Sequence, residues 1–279
     1  MTLKLLAPRE ESNWYVRVTL QIFHLCGAAF PDTSEESEFK RRVMTLASKL
    51  HECRDAQLDL NRFVEQHTKE VESGKIARAE NGHIRLLANS DVELNRLYSS
   101  FIDAARKVLY HLFGQRDKPD SVTYMLLGRS ISFVQVRNNE EFEKYAAQFM
   151  RDVPGDVATS LIDMLRGDRD SWAKVLIGTR NRIEHDVDCP SLQLSYGVSG
   201  DVVRVAFPTI NGCELRTHLN TLWENLFQAV EETLVLCASV RMGEMFVPQR
   251  IPEHLVAPNL PFRWSLAFRC DPSSRVPSK

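Results

Sequence analysis

The residues best suited to chemistry lie in the stretch 175–190, which reads VLIGTRNRIEHDVDCP. An apolar segment there runs into a polar cluster that contains Arg180, Asn181 and His185. A guanidinium keeps its positive charge and can bind a phosphate through two parallel hydrogen bonds. An imidazole, with an ordinary pKa of about 6.5, can take a proton from a ribose 2′-hydroxyl or return one to a leaving oxygen. These residue types therefore suit acid–base chemistry on a phosphate ester, for which no metal or other cofactor is expected.

Their spacing matters if the segment is helical. Residues four apart share a helix face, so Asn181 is expected beside His185, where it could orient the imidazole or hold a phosphate oxygen. Arg180 precedes His185 by five residues, which places it roughly 140° round the helix. Either the long guanidinium reaches across that angle, or the helix begins near 178–179.

An arginine followed five residues later by a histidine is uninformative by itself. The chain has 25 Arg and 8 His, so composition predicts about 0.7 such pairs, whereas the sequence contains four. Only Arg180–His185 has an asparagine directly after the arginine, and this requirement lowers the expected number to about 0.03. The other three pairs are interpreted as incidental: Arg62–His67, Arg78–His83 and Arg106–His111.

The surrounding pattern predicts a mainly helical protein. Apolar groups recur at helical spacing, and helix starts and stops are marked by capping boxes at Thr33-x-x-Glu36 and Ser90-x-x-Glu93 and by Gly74 and Gly114. The predicted helices cover about 34–73, 90–114, 138–150, 154–166, 170–186 and 214–242.

Two hairpins and a tail complete the prediction. Asn81-Gly82 between short apolar runs predicts one hairpin, and LQLSYGVSGDVVRVAF predicts a second around a Gly-Val-Ser-Gly turn at 197–200. Six prolines after Gly243 predict an extended tail over the surface. The chain is thus divided into an N-terminal helical region (1–89), packed on a helical domain (90–243), and a Pro-rich extended tail (244–279).

Composition sets limits on function. The net charge of −2 at pH 7 gives no global nucleic-acid signature, so any contact with RNA must come from a local patch. The six cysteines show no paired spacing, which argues against a zinc site and favours reduced, buried thiols. The apolar run near the N-terminus is too short for a signal peptide, and no segment is long enough to span a membrane. A cytoplasmic protein without membrane contact is expected.

The stretch RNRIEH, late in a helical bundle, resembles the signature of the HEPN superfamily. That signature is an arginine and a histidine with four to six residues between them, often with Asn, Asp or His directly after the arginine. The hairpin and long helix that follow His185 also look like those of several members, and the resemblance covers about 90–243. It implies a HEPN-like bundle with a small β-hairpin inserted before the last long helix.

The resemblance also implies an activity and a partner. Many HEPN proteins are metal-independent endoribonucleases that dimerise to bring two motifs together. Arg180, His185 and Asn181 are then the expected catalytic residues, and Arg180, Asn181 and Arg182 are expected to bind RNA. Symmetric two-sided chemistry predicts a homodimer in which the 170–186 helices meet. Apolar groups expected to serve that contact are Trp172, Val175, Leu176 and Ile183.

A role as a bacterial toxin or defence effector is one hypothesis, with the regulatory partner or antitoxin unknown. HEPN toxins paired with a nucleotidyltransferase antitoxin typically carry a tyrosine two places after the histidine, where this chain has Val187. Control of that kind is therefore not expected.

Alternative interpretations stay open at this point. One is a non-catalytic HEPN module that binds RNA or nucleotide, and another is a helical scaffold that binds a partner through the 34–73 helix. The polar cluster could also be an ordinary solvated helix end, with Arg182 paired to Asp186 four residues later.

Overall fold

Helices dominate the structure, a computed structural model, as the sequence predicts. Within the part of the chain that it describes, no helix is both long enough and apolar enough to cross a membrane. That part comprises residues 13–268 except 31, 82, 115–119, 133–137, 154, 186–190, 201, 244–245 and 258–261.

The α-helices are linked in places by tighter or wider helical turns. Among the described residues, π-helical turns occur at Arg17–Gln21 and Arg169–Ala173, and 3-10 turns at Gly27–Ala29 and Glu253–Leu255. The α-helices are α1 (Asn13–Val16), α2 (Ile22–Cys26), α3 (Thr33–Glu72), α4 (Asp91–Phe113), α5 (Val122–Leu127), α6 (Asn139–Asp152), α7 (Asp156–Asp168), α8 (Lys174–His185) and α9 (Leu215–Met242).

Helices α3, α4 and α9 confirm the long helices predicted from apolar spacing. The cap of α3 differs from the predicted Thr33, because the Asp32 carboxylate accepts hydrogen bonds from the backbone N–H and the hydroxyl of Ser34, at 2.7 and 2.8 Å. A carboxylate there satisfies an N–H group that has no partner inside the helix. Helices α3 and α4 stop where predicted, since Gly74 and Gly114 have positive φ angles of 73° and 82°.

Residues 156–185 form one uninterrupted helical run, whereas the sequence predicts a break between 166 and 170. The π-helical turn Arg169–Ala173 joins α7 directly to α8. Arg169 is buried there, with its Cζ 5.0 Å from the centroid of the Phe142 ring and a 2.9 Å ion pair to Asp170. The predicted break is wrong because this charged residue packs inside the protein instead of ending the helix.

Both predicted hairpins are confirmed. In the second, Gly197, Val198 and Ser199 belong to the first strand and not to the predicted turn at 197–200, since Ser199 is paired with Val202; Gly200 has a φ of 65°. The antiparallel pairs are β1 (Ala77–Glu80) with β2 (His83–Leu86), β3 (Ser195–Ser199) with β4 (Val202–Ala206), and the short β5 (Thr209–Ile210) with β6 (Cys213–Glu214).

The two larger hairpins share one apolar cluster. The buried side chains of Val71, Ile76, Ala77 and Val203 form it. Ile84, Tyr196 and Val205 pack against them and are partly buried. Two-stranded hairpins are marginal alone, so this shared cluster stabilises both.

The segment after α9 was predicted as an extended tail, and it has a partner strand. Strand β7 (Phe246–Arg250) pairs antiparallel with β8 (Trp264–Phe268). Pro248, which faces Leu266 in this ladder, has no N–H to donate. A proline is tolerated in a strand only where that missing donor would point away from the partner, as at the edge of a sheet.

The described residues fall into two compact units that interleave along the chain. Unit 1 takes those within 1–48, 109–174 and 227–279, and unit 2 those within 49–108 and 175–226. This differs from the division predicted from the sequence (1–89, 90–243, 244–279), which follows chain order. Long helices make the difference, because α3, α4 and α9 each contribute residues to both units.

A buried polar network holds distant parts of unit 1 together. Glu231 of α9 is 1% exposed and binds Arg17 through two hydrogen bonds, of which Nε to Oε1 is 2.8 Å long. Gln21 donates to the same Oε1 at 2.8 Å, and its own Oε1 accepts the backbone N–H groups of Arg263 and Trp264. The network thus connects the π-helical turn before α2, helix α9 and strand β8.

Candidate functional site

The candidate site begins with the backbone of α8, which contains Arg180, Asn181, Arg182 and His185 on one helix. The helix starts at Lys174 and continues the π-helical turn before it, so it does not begin near 178–179. Of the two arrangements that the spacing allowed, only the first is compatible with this backbone. The Arg180 guanidinium has to cover the angle of roughly 140° between its own Cα and that of His185.

The side chains of the motif are described only in part. Arg180 and Asn181 are half-buried, and Thr179 just before them is 9% exposed. The side chains of Arg182 and His185 lie outside the described part, as does the whole of Asp186. The structure therefore places all four sequence-predicted site residues on one helix and gives the environment of two.

Chemically, this helix presents Asn181 and the His185 backbone position on one face, four residues apart. An amide four residues before a histidine on the same helix face can hydrogen-bond the imidazole and determine which ring nitrogen carries the proton. The half-buried Arg180 guanidinium has a less solvated charge than an exposed one, and its attraction for a phosphate is correspondingly stronger.

The π-helical turn before α8 is fixed by buried contacts in unit 1. The indole Nε1 of Trp172 donates to Asp168 Oδ1 at 3.1 Å. Burial raises the pKa of Asp168, the hydrogen bond from Trp172 lowers it, and the Glu232 carboxylate raises it further. These contacts hold the π-helical turn within unit 1.

The apolar residues predicted to serve a dimer contact have different environments. Trp172 is 5% exposed and Leu176 2% exposed, so the chain itself buries both. Their expected availability for a second subunit is therefore wrong. Val175 is 39% exposed and Ile183 is half-buried, and these two remain accessible in the single chain.

The chain that returns from the motif is anchored to α4 within unit 2. Asn95 donates to the carbonyl of Leu192 at 2.8 Å and accepts the N–H of the same residue at 2.9 Å. Asp91 Oδ1 accepts the N–H of Leu194 at 2.9 Å. Side-chain amides that satisfy both backbone groups of one residue act as a substitute strand partner. The segment after His185 is held at residues 192–194 by this clamp.

Two further polar side chains, His67 of α3 and Tyr196 of β3, meet beside this return segment and were not predicted as functional. His67 Nε2 is 3.2 Å from the hydroxyl of Tyr196, and the imidazole stacks on the Phe63 ring with 5.4 Å between centroids. His67 is 2% exposed. Helical spacing could have placed it in the core, because it follows Leu60 and Val64 on the buried face of α3.

A cavity of about 280 Å³ adjoins Tyr196 in unit 2. Its lining combines a carboxylate, an amide and a phenol with exposed leucines, Leu86 at 51% and Leu87 at 45%. The lining residues are Leu86, Leu87, Ala88, Asn89, Asp91, Leu194 and Tyr196.

The other arginine–histidine pairs lie in different settings. Arg78 is on β1 and His83 on β2, so a turn separates them. Arg62–His67 and Arg106–His111 lie inside α3 and α4. Of the four pairs, only Arg180–His185 combines a following asparagine with a place at the end of a helix.

Comparison with protein-family models, with curated proteins and with solved structures finds no match for this chain.

Proposed function

We propose that this protein is a metal-independent endoribonuclease of the HEPN type that acts as a homodimer. The observation that carries the proposal is the continuous helix α8, which holds Arg180, Asn181 and His185 together with the asparagine and the histidine on one face. This is the arrangement that the resemblance to HEPN ribonucleases requires of the chain.

In the proposed mechanism, Arg180 binds the scissile phosphate and stabilises the negative charge that develops on it. His185 takes the proton from the attacking ribose 2′-hydroxyl, and a second imidazole gives a proton to the leaving 5′-oxygen. Asn181 orients His185 or holds a phosphate oxygen, and Arg182 contributes a further contact to the RNA backbone.

One imidazole cannot act on both sides of the phosphorus at once, so the second is supplied by a symmetry-related copy. Val175 and Ile183, which the single chain leaves accessible, supply apolar surface on the motif helix for that contact. Two Arg180 side chains repel each other at the interface, and bound RNA phosphate relieves the repulsion.

The test is cleavage of a mixed RNA pool in EDTA by the wild type and by the His185→Ala, Arg180→Ala and Asn181→Ala variants. Loss of the acid–base group should slow cleavage by about 100-fold or more. His51→Ala is the matched control, because His51 is an exposed helix histidine of unit 2, paired with Asp55 at 3.5 Å.

Two results would contradict the proposal. Undiminished cleavage by His185→Ala would remove α8 from the mechanism, and cleavage that requires a divalent metal would contradict the chemistry. Salt-sensitive RNA binding without turnover would instead favour the non-catalytic module, in which Arg180 and Asn181 hold phosphate.

A further inference from the structure

The hairpin β1–β2 has one face that packs against the protein and one that is exposed. Ala77 and Ile84 point to the apolar cluster of unit 2. On the opposite face, Arg78 and Arg85 are direct partners in the antiparallel register, and both are exposed. Partners of this kind have Cβ atoms about 5 Å apart. Two arginine side chains therefore leave the same face of a short ribbon from directly opposite positions.

Direct pairing of like charges across a hairpin is destabilising. The neighbours of this pair offset little of that repulsion. Arg85 has a 3.5 Å contact with Glu80, in which the side chains are 66% and 46% exposed, and such a pair is weak in water. Among the residues described, Arg78 has no carboxylate partner, and its Nε donates to the carbonyl of Gly74 at 2.8 Å.

Arginines on the helices of the same unit have different surroundings. Arg62 binds Asp59 at 2.6 Å and Arg96 binds Glu93 at 2.7 Å, each three residues apart on one helix. These two helix arginines are thus neutralised locally, whereas the hairpin presents two positive charges on one outward face. The Arg78–Gly74 hydrogen bond and the weak Arg85–Glu80 pair do not neutralise this charge, so an anionic ligand would stabilise the arrangement.

We propose that Arg78 and Arg85 form a contact site for the phosphate backbone of single-stranded RNA. Planar guanidinium forks match phosphate oxygens, and bound phosphates offset the repulsion between two cations on one face. Lys75, exposed just before β1, adds a positive charge to the same segment. This proposal rests on the proposed ribonuclease function and gives unit 2 a substrate contact on an element other than α8.

A flexible strand suits this face better than an anionic membrane does. Glu80 lies on the same face as the two arginines, and it would repel a continuous negative surface. The phosphates of a single RNA strand are separated from one another, so the strand can bind both arginines without placing a phosphate next to the Glu80 carboxylate. Arg78 is also held in place by the Gly74 carbonyl, which lowers the entropy lost when it binds.

The experiment measures binding of a fluorescein-labelled 20-nucleotide RNA of mixed sequence by fluorescence polarisation. All variants carry His185→Ala, so that the probe is not cut. Arg78→Gln/Arg85→Gln should raise Kd about tenfold at low salt. It should also lower the slope of log Kd against log salt concentration by about 1.4, the value for two phosphate contacts to a single strand.

The matched control is Arg62→Gln/Arg96→Gln, which removes the same charge from the helices of the same unit and should leave Kd and slope unchanged. Equal effects of the two double variants, no RNA binding at all, or binding of vesicles with phosphatidylserine in place of RNA would each overturn the proposal. A parallel cleavage assay with His185 intact separates the two proposals. If RNA is cleaved equally well without Arg78 and Arg85, only the proposed RNA contact site is refuted. If RNA binding depends on these two arginines but no cleavage occurs, only the proposed ribonuclease function is refuted.

Discussion

The imidazole Nε2 of His67 lies 3.2 Å from the phenolic oxygen of Tyr196, and this hydrogen bond joins α3 to the first strand after the motif helix. Burial lowers the pKa of His67, and the carboxylates of Glu70 and Asp91 raise it by less. Burial, with a smaller contribution from Asp91, raises the pKa of Tyr196. The folded protein therefore favours a neutral imidazole and a neutral phenol at this contact.

The first prediction follows from the lowered pKa of His67. The unfolded chain, with a histidine pKa of about 6.5, binds more protons than the folded protein once the pH falls below that value. The contribution of the neutral His67 to the free energy of unfolding is therefore complete above about pH 6.5. It decreases as the pH falls towards the pKa of His67 in the folded protein. The urea midpoint should drop between pH 7.5 and 5.5, and His67→Gln should drop less. His51→Gln, at an exposed position, is the control substitution. An unchanged pH dependence in His67→Gln would contradict this.

The second prediction concerns the clamp between Asn95 and Leu192. Asn95→Ala leaves both backbone groups of a buried residue without their partner, which should lower the free energy of unfolding by about 1–3 kcal/mol. Faster hydrogen exchange at residues 192–196 should accompany the loss, and RNA cleavage should slow because the return from α8 is released. Asn225→Ala is the control, since Asn225 makes no hydrogen bond to another side chain or backbone group that the structure describes. Unaltered exchange at 192–196 would show that the clamp is dispensable.

The third prediction concerns Glu231. Its carboxylate is almost fully buried and binds both Arg17 and Gln21, so Glu231→Ala should cost about 3–5 kcal/mol of stability in chemical denaturation. Glu35, which binds Arg241 in the same unit with a side chain 55% exposed, offers a comparison. Glu35→Ala should cost less than about 1 kcal/mol. Similar costs for the two variants would mean that burial does not govern these ion pairs.

The fourth prediction concerns assembly. Sedimentation at micromolar concentration should detect a homodimer, and RNA added to the His185→Ala protein should tighten it, because phosphate relieves the repulsion between two Arg180 side chains. Val175→Glu should weaken the dimer by placing a charge on the motif helix. Leu20→Glu alters a residue of unit 1 that is 50% exposed and should have no effect. A strictly monomeric protein that still cleaves RNA would refute the prediction.

Local interactions explain why the main elements could be predicted from the sequence. Gly74 and Gly114 end helices because glycine readily adopts a positive φ. Apolar and polar residues alternate along β3 and β4 because one side of this hairpin packs against the protein. The Asp32 cap was missed because Thr33, the next residue, is also a good capping type.

Features that depend on distant residues could not be predicted. The helix continues through Arg169 because Phe142 of α6 packs against it. From the sequence alone, the polar stretch around Arg169 is typical of a loop between two helices. The β7–β8 pairing joins segments that are separated by prolines. For the candidate site, the sequence was sufficient to place Arg180 and Asn181 on a helix. The clamp from Asn95 to Leu192 joins residues far apart in the chain and carries no local signal.

The Gln21 hydrogen bonds to Arg263 and Trp264 have a consequence for synthesis on the ribosome. A nascent chain that has emerged as far as residue 226 already contains every segment of unit 2, but it lacks the last segment of unit 1. The helix with the proposed catalytic motif can therefore acquire its unit 2 neighbours before Arg263 and Trp264 have emerged from the ribosome. Until those residues emerge, the buried polar network around Glu231 stays incomplete, so unit 1 is the part of the nascent protein most exposed to chaperones and proteases.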